Sequence, residues 1–188
     1  GLATATWGAL RERPVIRWNE VGIGVIGRLA GVAAATEILS NLPDRGTFML
    51  VFGLMIALAV LLSVAGWRLA FSLPAMAAMS AVSGVMGTIT SVGAPPLAIV
   101  YQDRPATQAR PTLAAFFAIG CAISLAGLYL SGCAGWRDFG LALVMAPAML
   151  AGVLFARVLR GRFDRRYRPA LLAIAGVAAT ILIIRGIA

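Results

Sequence analysis

Lysine and histidine are both missing from this 188-residue chain, so all sixteen basic side chains are arginine. With no histidine, and with Cys121 and Cys133 as the only thiols and no CxxC spacing, a zinc or haem centre has no ligand set; no metal and no cofactor is expected. The two cysteines stand 12 residues apart on what reads as one helix, about 18 Å along its axis, too far for a disulfide. Charge is scarce as well, at 12% of residues, and only 7 are acidic, leaving a net charge of +9. In a soluble chain that balance would suggest nucleic acid, but no basic stripe interleaved with aromatics lies on a soluble face. The arginines sit mostly between apolar runs, which excludes a nucleic-acid partner and points to membrane topology and headgroup contact. A basic, apolar and small-residue leader pattern is also lacking, so no secretory signal is evident.

What the chain does have is apolar length. It is 61% hydrophobic with a mean hydropathy of +0.92, and residues 46–67, 69–102, 111–136, 139–156 and 169–184 carry no charge. Several of these runs approach or exceed the ~20 residues a spanning helix needs. The expected fold is an all-α polytopic membrane protein, a helical bundle in a lipid bilayer, with residues 1–188 as a single transmembrane domain. Six hydrophobic elements are predicted, at 20–41, 46–66, 73–101, 111–133, 138–159 and 169–187. Gly27 and Gly31 form a GxxxG, and Ser80 and Gly84 a second small-residue pair; close helix packing is the simple reading of both. Trp7, Trp18, Trp67 and Trp136 fall at segment ends, as an interfacial belt should.

An internal repeat is visible. Trp18-Asn19-Glu20-Val21-Gly22 matches Trp136-Arg137-Asp138-Phe139-Gly140, and each copy opens a hydrophobic segment followed by another. Residues 1–66 then end a first repeat and 67–188 form the second. On this reading the chain, which starts at Gly1, is the C-terminal three-quarters of a duplicated protein.

Within 73–101 the helix cannot run unbroken. Pro95 and Pro96 donate no hydrogen bond, so the carbonyls of Ser91 and Val92 lose their helical donors. Ala94 and Pro95 precede prolines and are pushed toward extended geometry, and Gly93 can take the positive φ that ends a helix. Unpaired backbone in hydrocarbon costs roughly several kcal/mol per group, so this stretch must face protein, water or a ligand. If the element crosses once, the loop arginines divide 6 against 9; if it returns to its own side they divide 12 against 3. The second split obeys the positive-inside rule better, places the Arg-rich loops in the cytoplasm, and makes the repeats inverted. A single tilted or kinked span with parallel repeats is the alternative.

Pro96 suits the first position of a new helix, whose amides at Leu97, Ala98 and Ile99 and positive end would attract an anion. Thr88, Thr90 and Ser91 add hydroxyl donors, and Gly93 lets a ligand approach the backbone. Arg110 either holds an anion at the pore mouth or anchors the interface, with Gln102 and Gln108 weaker candidates of the same kind. Arg28 lies inside the first element and must face the bundle or water. Glu37, nine residues on, projects to nearly the opposite face; it is either a proton-coupling carboxylate or an interfacial acid.

The stretch Ser83-Gly84-Val85-Met86-Gly87-Thr88-Ile89-Thr90-Ser91-Val92-Gly93-Ala94-Pro95-Pro96 resembles the glycine/proline signature of the sulfite exporter TauE/SafE family. The following Arg110-Pro111-Thr112-Leu113-Ala114-Ala115-Phe116-Phe117 is similar to its arginine-plus-small-polar opening of the next helix. The resemblance implies a duplicated set of about four elements and movement of sulfite, organosulfonates or related small anions across the bacterial inner membrane. Two departures stand out: the first signature copy is absent, and Arg28 occupies a position where the family usually has small, apolar residues.

The expected function is therefore a multi-pass inner-membrane transporter, an exporter as the resemblance implies, carrying a small anion by alternating access around the break. Thr88, Thr90, Ser91, Gly93, Ala94, Pro95 and Pro96 would line the site with Arg110, and Glu37 would be the coupling candidate. Self-association into a homo-oligomer is left open. The alternatives are an anion channel or a non-transporting membrane subunit; no enzyme is expected, for want of paired acids in one element.

Overall fold

The computed structural model describes residues 16–67, 69–158 and 168–187. Over these the chain forms seven helices: α1 Trp18–Ser40, α2 Arg45–Val64, α3 Leu73–Thr90, α4 Ala94–Tyr101, α5 Ala106–Leu130, α6 Trp136–Val158 and α7 Arg168–Ile187. Five of them are long and apolar enough to cross a membrane: α1, α2, α3, α5 and Pro169–Ile187 of α7. The chain is a multi-pass helical membrane protein.

Local sequence sets most helix starts. Asp44 accepts a hydrogen bond from the Thr47 amide at 2.6 Å and caps α2, which holds the Asp44 carboxyl below its ordinary pKa. Ser72 does the same for α3 through the Ala75 amide at 3.2 Å, with Pro74 in the first turn. Two boundaries differ from expectation. α5 begins at Ala106 rather than 111 and carries Pro111 inside it, tolerated because only one early ladder bond is lost. It also ends at Leu130, where Gly132 takes φ +73°, so Cys133 lies in the following turn and not on the helix with Cys121.

Small residues bring α1 against α3 and α5. A side chain on Gly27 would collide with the Ala77 carbonyl, and one on Gly31 with the Ala81 carbonyl. Gly24 in turn faces Met76 and Phe116, and Val32 faces Gly127. Residue numbers rise together along all three helices, so α1, α3 and α5 run parallel. The end at which they start is here called proximal, the other distal. α2 packs antiparallel to α7, with Gly53 against Ile183 and Gly186 against Leu50. Ala59 and Leu62 of α2 join it to Met86 of α3 and Ile99 of α4.

Polarity is arranged inside-out relative to a soluble bundle. Glu20, Arg28, Ser80, Ser83, Thr88, Thr90, Thr112 and Ser124 are buried, while Ile26, Leu54, Leu61, Leu143, Val144 and Ile184 face outward. A bilayer rewards that arrangement, because lipid solvates the leucines and the bundle satisfies the hydroxyls.

α3 and α4 form a hairpin that returns to its own end. Phe71, before α3, and Tyr101, at the end of α4, stack edge to face with centroids 5.5 Å apart. Gln102 Nε2 donates to the Trp67 carbonyl at 3.2 Å across the same junction. The chain therefore enters α3 and leaves α4 at the proximal end. Of the loop arginines, Arg17, Arg104 and Arg110 lie at that end, and Arg45, Arg137 and Arg185 at the distal one. Arg157 lies in the last turn of α6 and Arg168 opens α7, while Arg11, Arg13, Arg68, Arg160, Arg162, Arg165 and Arg166 of the sequence count, and Trp7, lie outside the described residues.

Candidate functional site

The hairpin's turn is built from side-chain substitutes for lost ladder bonds. Thr90 Oγ1 donates to the Met86 carbonyl at 2.8 Å and accepts from the Val92 amide at 3.2 Å. Ser91 takes the left-handed conformation, φ 61° and ψ 10°, with its amide on the Gly87 carbonyl at 3.1 Å. Gly93 was the residue expected to take positive φ; it sits at φ −101° instead. It is needed for closeness: a Cβ there would lie 2.8 Å from the Ser83 carbonyl and 2.9 Å from its hydroxyl. Ser83 Oγ donates to the Gly93 carbonyl at 2.5 Å, tying the turn back to the middle of α3.

α4 starts at Ala94, so Pro95 and Pro96 both occupy its first turn, rather than Pro96 opening it. That changes the anion chemistry. Two of the helix's terminal amide positions are proline, and Ala98 and Ile99 fall within the helix's own ladder. The turn offers fewer free amides than the sequence suggested.

The strongest polar feature beside the turn is Arg28. It is 2% exposed, midway along α1, and reaches between α3 and α5. Its Nη1 donates to Ser83 Oγ and its Nη2 to Ser124 Oγ, both at 3.3 Å. The guanidinium carbon lies 5.5 Å from the Phe116 ring centroid. Thr88 Oγ1 joins the group 3.0 Å from Ser124 Oγ. Nε has no hydrogen-bond partner, nor has the buried Ser80 hydroxyl. Two glycines make room: a Cβ on Gly87 would meet Nη2 at 3.0 Å, and one on Gly120 would overlap Nε and Cδ. A central arginine costs on the order of 2.5–3.5 kcal/mol to insert. Hydrogen bonds to a charged group return roughly 1.5–3 kcal/mol each, enough to hold Arg28 in place.

A second cluster closes the proximal end. Glu20, 6% exposed, accepts from the Tyr101 hydroxyl at 2.8 Å and pairs with Arg17 at 3.5 Å and Arg104 at 3.8 Å. Arg104 also lies over the Phe71 ring, 4.1 Å from its centroid. An open groove of about 910 Å³ runs past Arg17, Glu20, Ile23, Phe71 and Arg104.

The structure brings Thr88, Thr90, Gly93 and Pro96 together as buried residues of the hairpin, while Ser91 and Ala94 are exposed and Pro95 half-buried. Arg110 is elsewhere: it is exposed at the proximal start of α5, ten residues before Gly120 and so about 15 Å from the Arg28 level along the helix. Glu37 is exposed near the distal end of α1, where its Oε1 accepts from Asn41 Nδ2 at 2.9 Å. The Gln102 side chain is spent on Trp67, and the Gln108 main-chain carbonyl accepts from the Thr112 hydroxyl. Sequence reasoning passed over Ser83, Ser124 and Glu20. The available signal was the small-residue set Gly87 and Gly120, which marks where a long buried side chain has to pass.

Among known proteins, the sequence model of the family described as Sulfite exporter TauE/SafE matches residues 1–182. No curated protein and no solved structure matches the chain.

Proposed function

The chain belongs to the sulfite exporter TauE/SafE family, and from that premise we propose that it carries sulfite or an organosulfonate across the inner membrane by alternating access around the α3–α4 turn. The observation that carries this reading is a helical hairpin that turns back inside an apolar bundle, with buried hydroxyls and a close-packed glycine at its tip. Non-helical backbone at membrane depth is tolerated where it lines a cavity or is buried in protein. Thr88, Thr90, Ser91 and Gly93 line the substrate path, and Ala94, Pro95 and Pro96 fix the turn that separates the two half-helices. Arg110, exposed at the proximal mouth, draws the anion in. Glu37, at the distal end, is the carboxylate available for proton coupling.

The proximal end faces the cytoplasm in this reading, on the 12-to-3 division of loop arginines in the sequence and the positive-inside rule. Residues 1–66 end one repeat and 67–188 form the other. α1 begins at Trp18 and α6 at Trp136, the matched residues of the two copies, which supports that division.

Counterflow of labelled sulfite in proteoliposomes tests the function. Saturable uptake, accelerated by unlabelled sulfite on the far side, is the expected outcome. Uptake that neither saturates nor responds to the far side would mark a channel, and none above empty liposomes for sulfite or taurine would remove the reading.

A further inference from the structure

We propose that Arg28 is the charge that meets the substrate: a small oxyanion binds its guanidinium among Ser83, Thr88 and Ser124, where α1 and α5 pack on the hairpin. This rests on the transporter reading and names the place in it where negative charge is held.

A guanidinium stays protonated even when buried, so the bundle contains a fixed positive charge. Among the described residues no carboxylate is paired with it. Among those residues the ion pairs, from Arg17 and Arg104, go to Glu20, eight positions earlier on α1 and about 12 Å away along the axis. Arg28 hydrogen-bonds only to neutral hydroxyls and rests on the Phe116 ring, and its Nε–H is buried without an acceptor. A buried, unpartnered donor on an unpaired cation is a place where an anion completes the arrangement. The surrounding hydroxyls suit the exchange. Thr88 and Ser124 can trade accepting for donating, and Ser83 can redirect the proton it gives to the Gly93 carbonyl. Gly87 and Gly120 bring backbone close against the guanidinium, so neither residue puts a side chain between it and the hydroxyls. The turn supplies few free amides for this role, since two of its terminal positions are proline.

The chemistry selects a class of ligand. A planar fork of N–H groups prefers an acceptor that offers two oxygens at once, so sulfite or a sulfonate head group fits better than a halide. The geometry also links binding to motion. Ser83 accepts from Arg28 and donates to the Gly93 carbonyl, so an anion that takes either bond loosens the tie that holds the turn.

Equilibrium binding of labelled sulfite to the purified chain in lipid nanodiscs tests the site, with methanesulfonate and chloride as competitors. Arg28→Gln is expected to weaken sulfite binding on the order of 100-fold. Arg28→Lys keeps the charge but loses the preference for oxyanion over chloride. If Arg28→Gln does not fold, Ser124→Ala and Thr88→Val decide the matter: weakening of about 10-fold supports the site, and unchanged affinity overturns it. Wild-type affinity in a folded Arg28→Gln protein, or no saturable binding of either oxyanion to the wild type, also overturns it. Counterflow with the same proteins in proteoliposomes separates the two claims. Arg28-dependent binding without counterflow keeps the site and removes the transporter; counterflow that survives Arg28→Gln does the reverse.

Discussion

Glu20 shows what a single buried carboxylate can hold together. It joins the start of α1 to the end of α4 through Tyr101, and to the hairpin's exit through Arg104. Tyr101→Phe removes a hydrogen bond to an ionised acceptor and should lower stability by about 1.5–3 kcal/mol, read as an earlier denaturation midpoint in detergent. An unchanged midpoint would mean that the hydroxyl is dispensable and the Phe71 contact alone secures the hairpin. Neither Glu20 nor Arg28 could be given its partners from sequence. Arg17 is only three residues from Glu20, but the other partners lie far along the chain, 81 residues away for Tyr101 and 55 and 96 for Ser83 and Ser124. The residue types were readable; the pairing depends on which helices lie side by side.

Individual helices were legible to within a few residues, because apolar length and breakers fix them locally. The hairpin was legible as a break at Thr90 to Pro96, but its internal geometry was not. Ser91 takes the left-handed position because the Ser83–Gly93 hydrogen bond and the close approach to Gly87 fix Gly93 elsewhere, and those are tertiary contacts. The α1–α3 contact makes a sharper claim about elements. Gly31→Ala should destabilise the bundle by about 1–3 kcal/mol, since the new methyl meets the Ala81 carbonyl and the helices must separate. Gly22→Ala, on the same helix with open space around it, should be neutral or stabilising by up to about 1 kcal/mol. Thermal unfolding of the two variants beside the wild type checks the contrast. Equal effects would mean that the small-residue face does not set the helix spacing.

At the scale of the molecule, α1 and α5 run parallel to the hairpin's first arm, α3, and pack on it, and an antiparallel pair, α2 and α7, flanks the hairpin through α2. The expectation of a polytopic helical membrane protein came from composition alone and needed no contact information. Orientation did need it, because the arginine split depends on whether the chain turns back within 73–101, and the Phe71–Tyr101 contact places both ends together. That orientation can be checked with a native side chain. Cys133 is exposed in the distal turn, so a membrane-impermeant maleimide should label it in intact spheroplasts. Labelling only after the membrane is opened would invert the assignment of the proximal end to the cytoplasm. The central claim is that substrate passes at the hairpin tip, and sulfite counterflow in Gly93→Ala beside Gly140→Ala tests it most directly. Gly93 has no room for a methyl between Ser83 and Gly87, whereas Gly140 has nothing nearby. The account predicts at least a roughly 10-fold loss of flux in Gly93→Ala, about 1.4 kcal/mol, with wild-type flux in Gly140→Ala. Full counterflow in a folded Gly93→Ala protein would contradict it.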